Sequence, residues 1–223
     1  MTVTLYTYEW LPEFPRGFVR DMRVRWALEE LGQPYTVATV PVHPKTDAHR
    51  AMQPFGQVPM IEDGDLRLFE SGAIVLHLAD GSPLLPPARR AEVTQWLIAA
   101  LNSIEPSISA WVLTRLAEKL PQFFGPPSPP EVVENLRKNM NAKLAAMEEI
   151  LATRDWIAGD FSAADILLAD VLRVPEAEGA LADYPALTAY VARATARPAF
   201  QRALADHMKH WTDADAARQA ASN

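Results

Sequence analysis

Polar and apolar residues alternate through Val3-Thr4-Leu5-Tyr6-Thr7-Tyr8, the two-residue period of a strand with Val3, Leu5 and Thr7 on one face. Residues 10–17 carry two prolines and a glycine and break any regular element. The period then lengthens. Over residues 18–31, Met22, Trp26 and the Ala27-Leu28 pair recur at helical spacing, and Gly32 and Pro34 end the run. Residues 35–42 predict a second strand, with Pro41 pushing its last part to an edge or out of the sheet. The polar residues 43–52 predict a short helix or loop. Val58-Pro59-Met60-Ile61-Glu62 and Leu66-Arg67-Leu68-Phe69 flank Asp63-Gly64-Asp65, a tight hairpin turn. Glu70-Ser71-Gly72 opens a third helix over residues 73–79. A crossover helix between the first two strands implies parallel pairing, and the Asp-Gly turn makes the last pair antiparallel. The expectation is a compact α/β unit over residues 1–80.

Residues 81–90 form a proline-rich linker, and residues 91–223 show no strand pattern. Val93, Leu97, Ile98, Leu101, Ile104 and Ile108 give residues 91–120 a helical period that Pro106 must kink or divide. The proline-dense residues 121–130 predict a loop. Val132, Leu136, Met140, Leu144, Met147 and Leu151 form one stripe of a long helix over residues 131–153. Further helices are expected over residues 162–174, 185–194 and 198–210, with the polar last dozen residues frayed. This makes an all-helical second domain, a helical bundle.

Charge and composition then narrow the function. The chain of 223 residues has a formal net charge of −7 and no Lys/Arg-rich run, which argues against nucleic acid as a partner. The absence of cysteine excludes disulfides, thiolate metal sites and a cysteine nucleophile. The N-terminus lacks the basic start and apolar run of a signal peptide. No apolar stretch is expected to reach the roughly 20 residues of a membrane span. A cytoplasmic protein is expected. His49, His77, His207 and His210 lack acidic partners at zinc-site spacing, so no metal is expected.

The motif that carries chemistry is Gln53-Pro54-Phe55-Gly56-Gln57-Val58-Pro59-Met60-Ile61, followed by Phe69-Glu70-Ser71-Gly72-Ala73-Ile74. Taken separately, Val-Pro reads as a turn and Glu-Ser as an ordinary helix cap. Taken together, with their flanking strands and helix, they resemble the glutathione transferase family. Ala27-Leu28-Glu29-Glu30-Leu31-Gly32 matches the family's first helix in the same way. The resemblance implies a thioredoxin-like N-terminal domain with a mixed four-stranded sheet, an all-helical C-terminal domain and a homodimer. It implies a cis Val58–Pro59 peptide, with the Val58 backbone pairing to the cysteinyl part of glutathione. Glu70, Ser71 and the helix amides would receive the γ-glutamyl end, with Gln57 assisting. Asp160-Phe161-Ser162-Ala163-Ala164-Asp165-Ile166 resembles the family's internal capping box. There Ser162 caps a helix, Asp165 reaches back to its amide and Phe161 staples against Ile166.

The sulfur end departs from the family pattern. Aligning Met22–Leu28 with the family's first helix puts Phe18 where a catalytic serine usually stands, and phenylalanine has no donor or nucleophile. Three substitutes are open: a phenol from Tyr8 or Tyr6, the charge of Arg16 or Arg20, or the amides near Phe18 and Val19 at the helix start. Each would lower the thiol pKa of bound glutathione. Leu11, Phe14 and Phe18 with Trp111 and Arg115 are candidates for the wall of a pocket for a small hydrophobic second substrate. Three functions fit: conjugation or reduction with glutathione as co-substrate, a non-catalytic glutathione-binding or protein-interaction module, and a thioredoxin-type oxidoreductase. The last lacks its Cys-x-x-Cys pair.

Overall fold

The computed structural model describes residues 2–221. In chain order these form β1 (Val3–Tyr8), α1 (Asp21–Leu31), β2 (Tyr35–Val40), α2 (Asp47–Met52), β3 (Met60–Asp63), β4 (Leu66–Phe69) and α3 (Ser71–Ala79). There follow α4 (Arg90–Ala99), α5 (Glu105–Lys119), α6 (Pro121–Phe124), α7 (Pro130–Leu151), α8 (Ala163–Ala177), α9 (Pro185–Thr195) and α10 (Pro198–Ala221). Residues up to Pro86, together with those from Ala196 onward, make one compact unit; Pro87–Thr195 make the other. The sequence placed residues 196–223 with the helical half, whereas α10 belongs to the first unit.

In that unit the sheet order is β2-β1-β3-β4, with β1–β2 parallel and the other two pairs antiparallel. Val3 and Leu5 of β1 and Ile61 of β3 bury against Val24 and Leu28 of α1 and Ile74 of α3. The alternating pattern of β1 therefore reads directly as one face of the core. α1 begins at Asp21, three residues later than the periodicity suggested. Gly17 takes φ +84°, and the Phe18 amide donates to the Pro15 carbonyl at 3.0 Å, so a turn occupies the expected first helical turn. Gly32 closes α1 at φ +60°, the left-handed stop that glycine accepts without a Cβ penalty.

α10 packs along α1. Phe200 meets Trp26 edge-on at 4.9 Å, and Arg197 holds Glu30 through two bonds of 2.6 and 2.7 Å. Through Ala221 its C-terminal turns are helical rather than frayed; the last two residues of that expectation, 222–223, lie outside the described residues. The Trp10 indole and the Arg16 guanidinium both bind Asp215, and Arg218 lies 4.2 Å over the Trp10 ring. The bonds from Arg16 and Trp10 hold the Asp215 carboxyl down at about 2. A depressed folded-state pKa gives stability that is whole above the unfolded value near 4 and lost as pH falls through about 2. Urea denaturation of wild type and Asp215→Asn at stepped pH should show a constant gap above pH ~4, closing towards pH ~2.

In the second unit a continuous helical stretch, Pro87–Lys119, is long and apolar enough to cross a membrane by length and composition alone. This corrects the expectation that no apolar stretch reaches that length, because a mean over the stretch tolerates its scattered polar residues. Val93, Leu97, Ala100, Ile104 and Ile108 are buried, and the stretch packs on α7 and α8 as a core helix. A π-helical turn, Ala100–Ile104, precedes Pro106 at the start of α5 and absorbs the kink the proline requires. The expected loop over residues 121–130 contains the short helix α6. At the start of α8, the buried Asp165 accepts from the Ser162 amide and hydroxyl, both at 2.9 Å, and from the Ile157 amide and Tyr190 hydroxyl, both at 2.8 Å. Phe161 packs edge-on against Trp156 at 4.9 Å.

Candidate active site at the carboxyl end of β1

The Val58–Pro59 peptide is cis. The segment before it is pinned from both sides. The Gln57 amide donates to the Gln53 side chain and its carbonyl accepts from His49 Nε2, each at 3.0 Å. Val58 itself has no hydrogen bond to its N–H or C=O among the described residues. The β1–β3 register runs Thr4–Glu62, Leu5–Ile61, Tyr6–Met60 and ends there, with Val58 just before β3. Tyr8, Leu11, Val19, Val58 and Trp211 share one apolar cluster. A polar main chain left unpaired next to a sheet strand is a template for an added extended segment.

The second feature is the start of α3. Glu70 takes φ +70°, the one non-glycine residue with positive φ among the described residues. Such a backbone costs about 1–3 kcal/mol and persists where surrounding structure enforces it. No side chain caps α3, so the ordinary-cap reading of Glu-Ser fails, and the first-turn amides are left for an anion. Ser71 is buried at 5% exposure, and its hydroxyl accepts from Arg23 Nη1 at 3.2 Å while keeping its own O–H as a donor. Arg23, itself buried, adds positive charge to that helix terminus.

The candidates for the sulfur end separate clearly. Tyr6 is committed to Glu62 at 2.7 Å. Arg16 is committed to Asp215 and the Leu11 carbonyl. The Phe18 amide is spent on Pro15, and α1 opens on the buried carboxylate of Asp21, which offsets the positive helix end. The Phe18 amide is therefore taken, while the Val19 amide makes no hydrogen bond among the described residues. Arg20 is exposed at the N-cap of α1. Tyr8 remains: burial pushes its phenol up, so it stays protonated and can donate. Lys45 Nζ stands 3.3 Å from the Tyr8 hydroxyl and 4.5 Å over its ring, and its stem covers Gly56. Sequence reasoning missed Lys45, Arg23, His49 and Gln53. Arg23 left one trace, a charged residue on the apolar stripe of α1.

Leu11 is buried and Phe14 is 41% exposed in the first unit. In the second, Trp111 lines a cavity of about 230 Å³ with Arg137, Met140 and Tyr184, and Arg115 pairs with Glu118. A separate cavity of about 690 Å³ opens at the start of β2, but its charged groups are already spent on each other: Arg202 on Glu29, and Tyr35 on Asp206. No cluster of three or more His, Asp or Glu able to hold a metal occurs among the described residues.

Comparison with known proteins gives a concordant picture. Residues 3–80 match the family described as glutathione S-transferase, N-terminal domain, and residues 106–198 match glutathione S-transferase, C-terminal domain. Glutathione S-transferase 3 of Zea mays is 34% identical over 200 residues, covering 82% of this chain and 88% of that protein. Glutathione S-transferase GstA of Escherichia coli O157:H7 is 31% identical over 191 residues, covering 79% and 89%. Among solved structures, a glutathione transferase from Burkholderia graminis with two glutathione molecules bound per subunit superposes with a TM-score of 0.74 at 27% identity, covering 91% of this chain and 87% of that one.

Proposed function

Since the chain belongs to the glutathione S-transferase family, we propose that it binds glutathione and uses its thiolate to attack a small hydrophobic electrophile or to reduce a peroxide or disulfide. The observation that carries this is the unpaired main chain of Val58, in one apolar cluster with Tyr8 and pinned through Gln57. The cysteinyl backbone pairs with Val58 as an added strand. The γ-glutamyl carboxylate meets the uncapped start of α3 with the Ser71 hydroxyl, and its ammonium meets Glu70. Gln57 assists from its exposed side chain. Tyr8 donates to the thiolate and Lys45 adds positive charge nearby; both favour the ionised thiol at neutral pH. Arg20 is the alternative cation.

Retention on immobilised glutathione tests the binding half. Wild type is retained and Glu70→Ala/Ser71→Ala is not; equal retention of both would place the ligand elsewhere. Turnover with a chromogenic aryl electrophile tests the enzymatic half, and binding without turnover would favour a non-catalytic module. Titrating the bound thiol in Tyr8→Phe and Arg20→Ala identifies the activating group.

We further place the protein in the cytoplasm as a homodimer that detoxifies electrophiles without a metal. Phe55, 67% exposed and edge-on to Phe69 at 6.4 Å, supports a second copy as its cover. Light scattering on the purified chain reads the mass directly.

A further inference from the structure

The segment between β1 and α1 is tied to α10 at four points. His210 Nε2 donates to the Tyr8 carbonyl at 2.9 Å. The Trp10 indole donates to Asp215 Oδ1 at 2.7 Å. Arg16 binds both Asp215 oxygens, at 2.6 and 2.7 Å, and passes that hold to the Leu11 carbonyl through Nε and Nη2 at 2.9 and 2.6 Å. His207 Nε2 accepts from the Gly17 amide at 3.2 Å and from the Trp211 indole at 3.0 Å. On its other side the His207 ring meets Asp21, with Nδ1 3.3 Å from Oδ2. Trp211 is fully buried in the same apolar cluster as Tyr8 and Val58. Tyr8 is the last residue of β1, in register with Val40, and the Glu9 amide still donates to the Val40 carbonyl at 2.9 Å; beyond that point α10 grips residues 10–17, which no sheet or helix ladder holds.

We propose that Asp215 and His207 are positioning residues for thiol activation: they fix residues 10–17 from α10, and with them Leu11, whose packing in the cluster around Tyr8 sets the phenol at the glutathione sulfur in a single geometry. The proposal rests on the glutathione reading above. Its physical basis is that a segment with two prolines and a glycine has many near-equal conformations, while a displacement of about 1 Å at a reacting atom costs up to roughly 100-fold in rate. Asp215 is the informative position. Its side chain is 39% exposed, so its removal cuts the tie to Trp10 and Arg16 without opening the core.

The test uses the full chain with Asp215→Ala, Asp215→Asn and Asp215→Glu, and Asp213→Ala as a neighbouring control. Steady-state kinetics with glutathione and an aryl halide are combined with a pH titration of the bound thiolate by its ultraviolet absorbance. Asp215→Ala should lower kcat about tenfold or more and move the thiol midpoint upward. Its KM for glutathione should stay within about twofold, and Asp215→Glu should recover most of the loss. If Asp215→Ala does not fold, Asp215→Asn is read in the same way, since it keeps the shape and loses the charge. A folded variant with wild-type kcat and thiol midpoint overturns the proposal, as does a loss of kcat equal in Asp213→Ala. Failure of wild type to be retained on immobilised glutathione overturns the functional reading instead, and is scored first.

Discussion

Asp165→Ala is expected to lower the free energy of unfolding by about 3–5 kcal/mol. The carboxylate is fully buried and accepts four hydrogen bonds: two from Ser162, one from the Ile157 amide and one from Tyr190. Burial pushes the carboxyl pKa up, and the four donors pull against that rise without cancelling it. Truncation leaves four donors in a dry site, and the cost of an orphaned buried donor is about 1–3 kcal/mol each before relaxation. Ser162→Ala removes only the hydroxyl and should cost about 1 kcal/mol. Urea melts of the two variants check the ratio. The retained fraction on immobilised glutathione, per folded molecule, should not change in either. An Asp165→Ala protein as stable as wild type would show that the network is incidental to folding.

Asp21→Ala is expected to cost a similar amount, about 3–5 kcal/mol, through a different cause. Asp21 Oδ2 accepts from Arg25 Nε at 2.8 Å, both side chains are wholly excluded from solvent, and the same oxygen receives the His207 ring. Burial alone would raise the Asp21 carboxyl; His207 and Arg25 outweigh it and hold the group below its ordinary value. Removing the carboxylate strands a buried guanidinium whose remaining charge partner is Asp206. Asp21→Asn keeps the shape and the acceptor oxygen and should recover part of the loss. Thermal unfolding at neutral pH compares the three proteins. Equal melting of Asp21→Ala and wild type would mean that Asp206 alone balances Arg25.

The sheet was legible because its signals are local. Alternation in β1, the Asp-Gly hairpin and the run of α1 each depend on a handful of neighbouring residues. The Gln57-Val58-Pro59 and Glu70-Ser71 pair was legible because its spacing matched a family pattern, although neither half was decisive alone. The last turns of α10 were not legible. Their polar residues carry no helical stripe, and what orders them is Asp215 meeting Trp10 and Arg16 about two hundred positions away. For the same reason Arg16 could be offered from the sequence as a charge favouring the thiolate, while its bonds to Asp215 could not be foreseen. Tyr8 and Lys45 meet only because β1 and the chain after β2 end side by side, a tertiary fact with no trace in spacing.

The tie between Trp10 and Asp215 also sets an order of events during synthesis. Every residue of the sheet has left the ribosome once Pro86 is clear, yet the fastener for the β1–α1 segment, Asp215, follows the whole helical bundle in the chain. At translation rates of about 5–20 residues per second, the nascent N-terminal unit waits on the order of ten seconds with that flank unclasped. The helical bundle is made in the interval, so the part synthesised first is the part completed last.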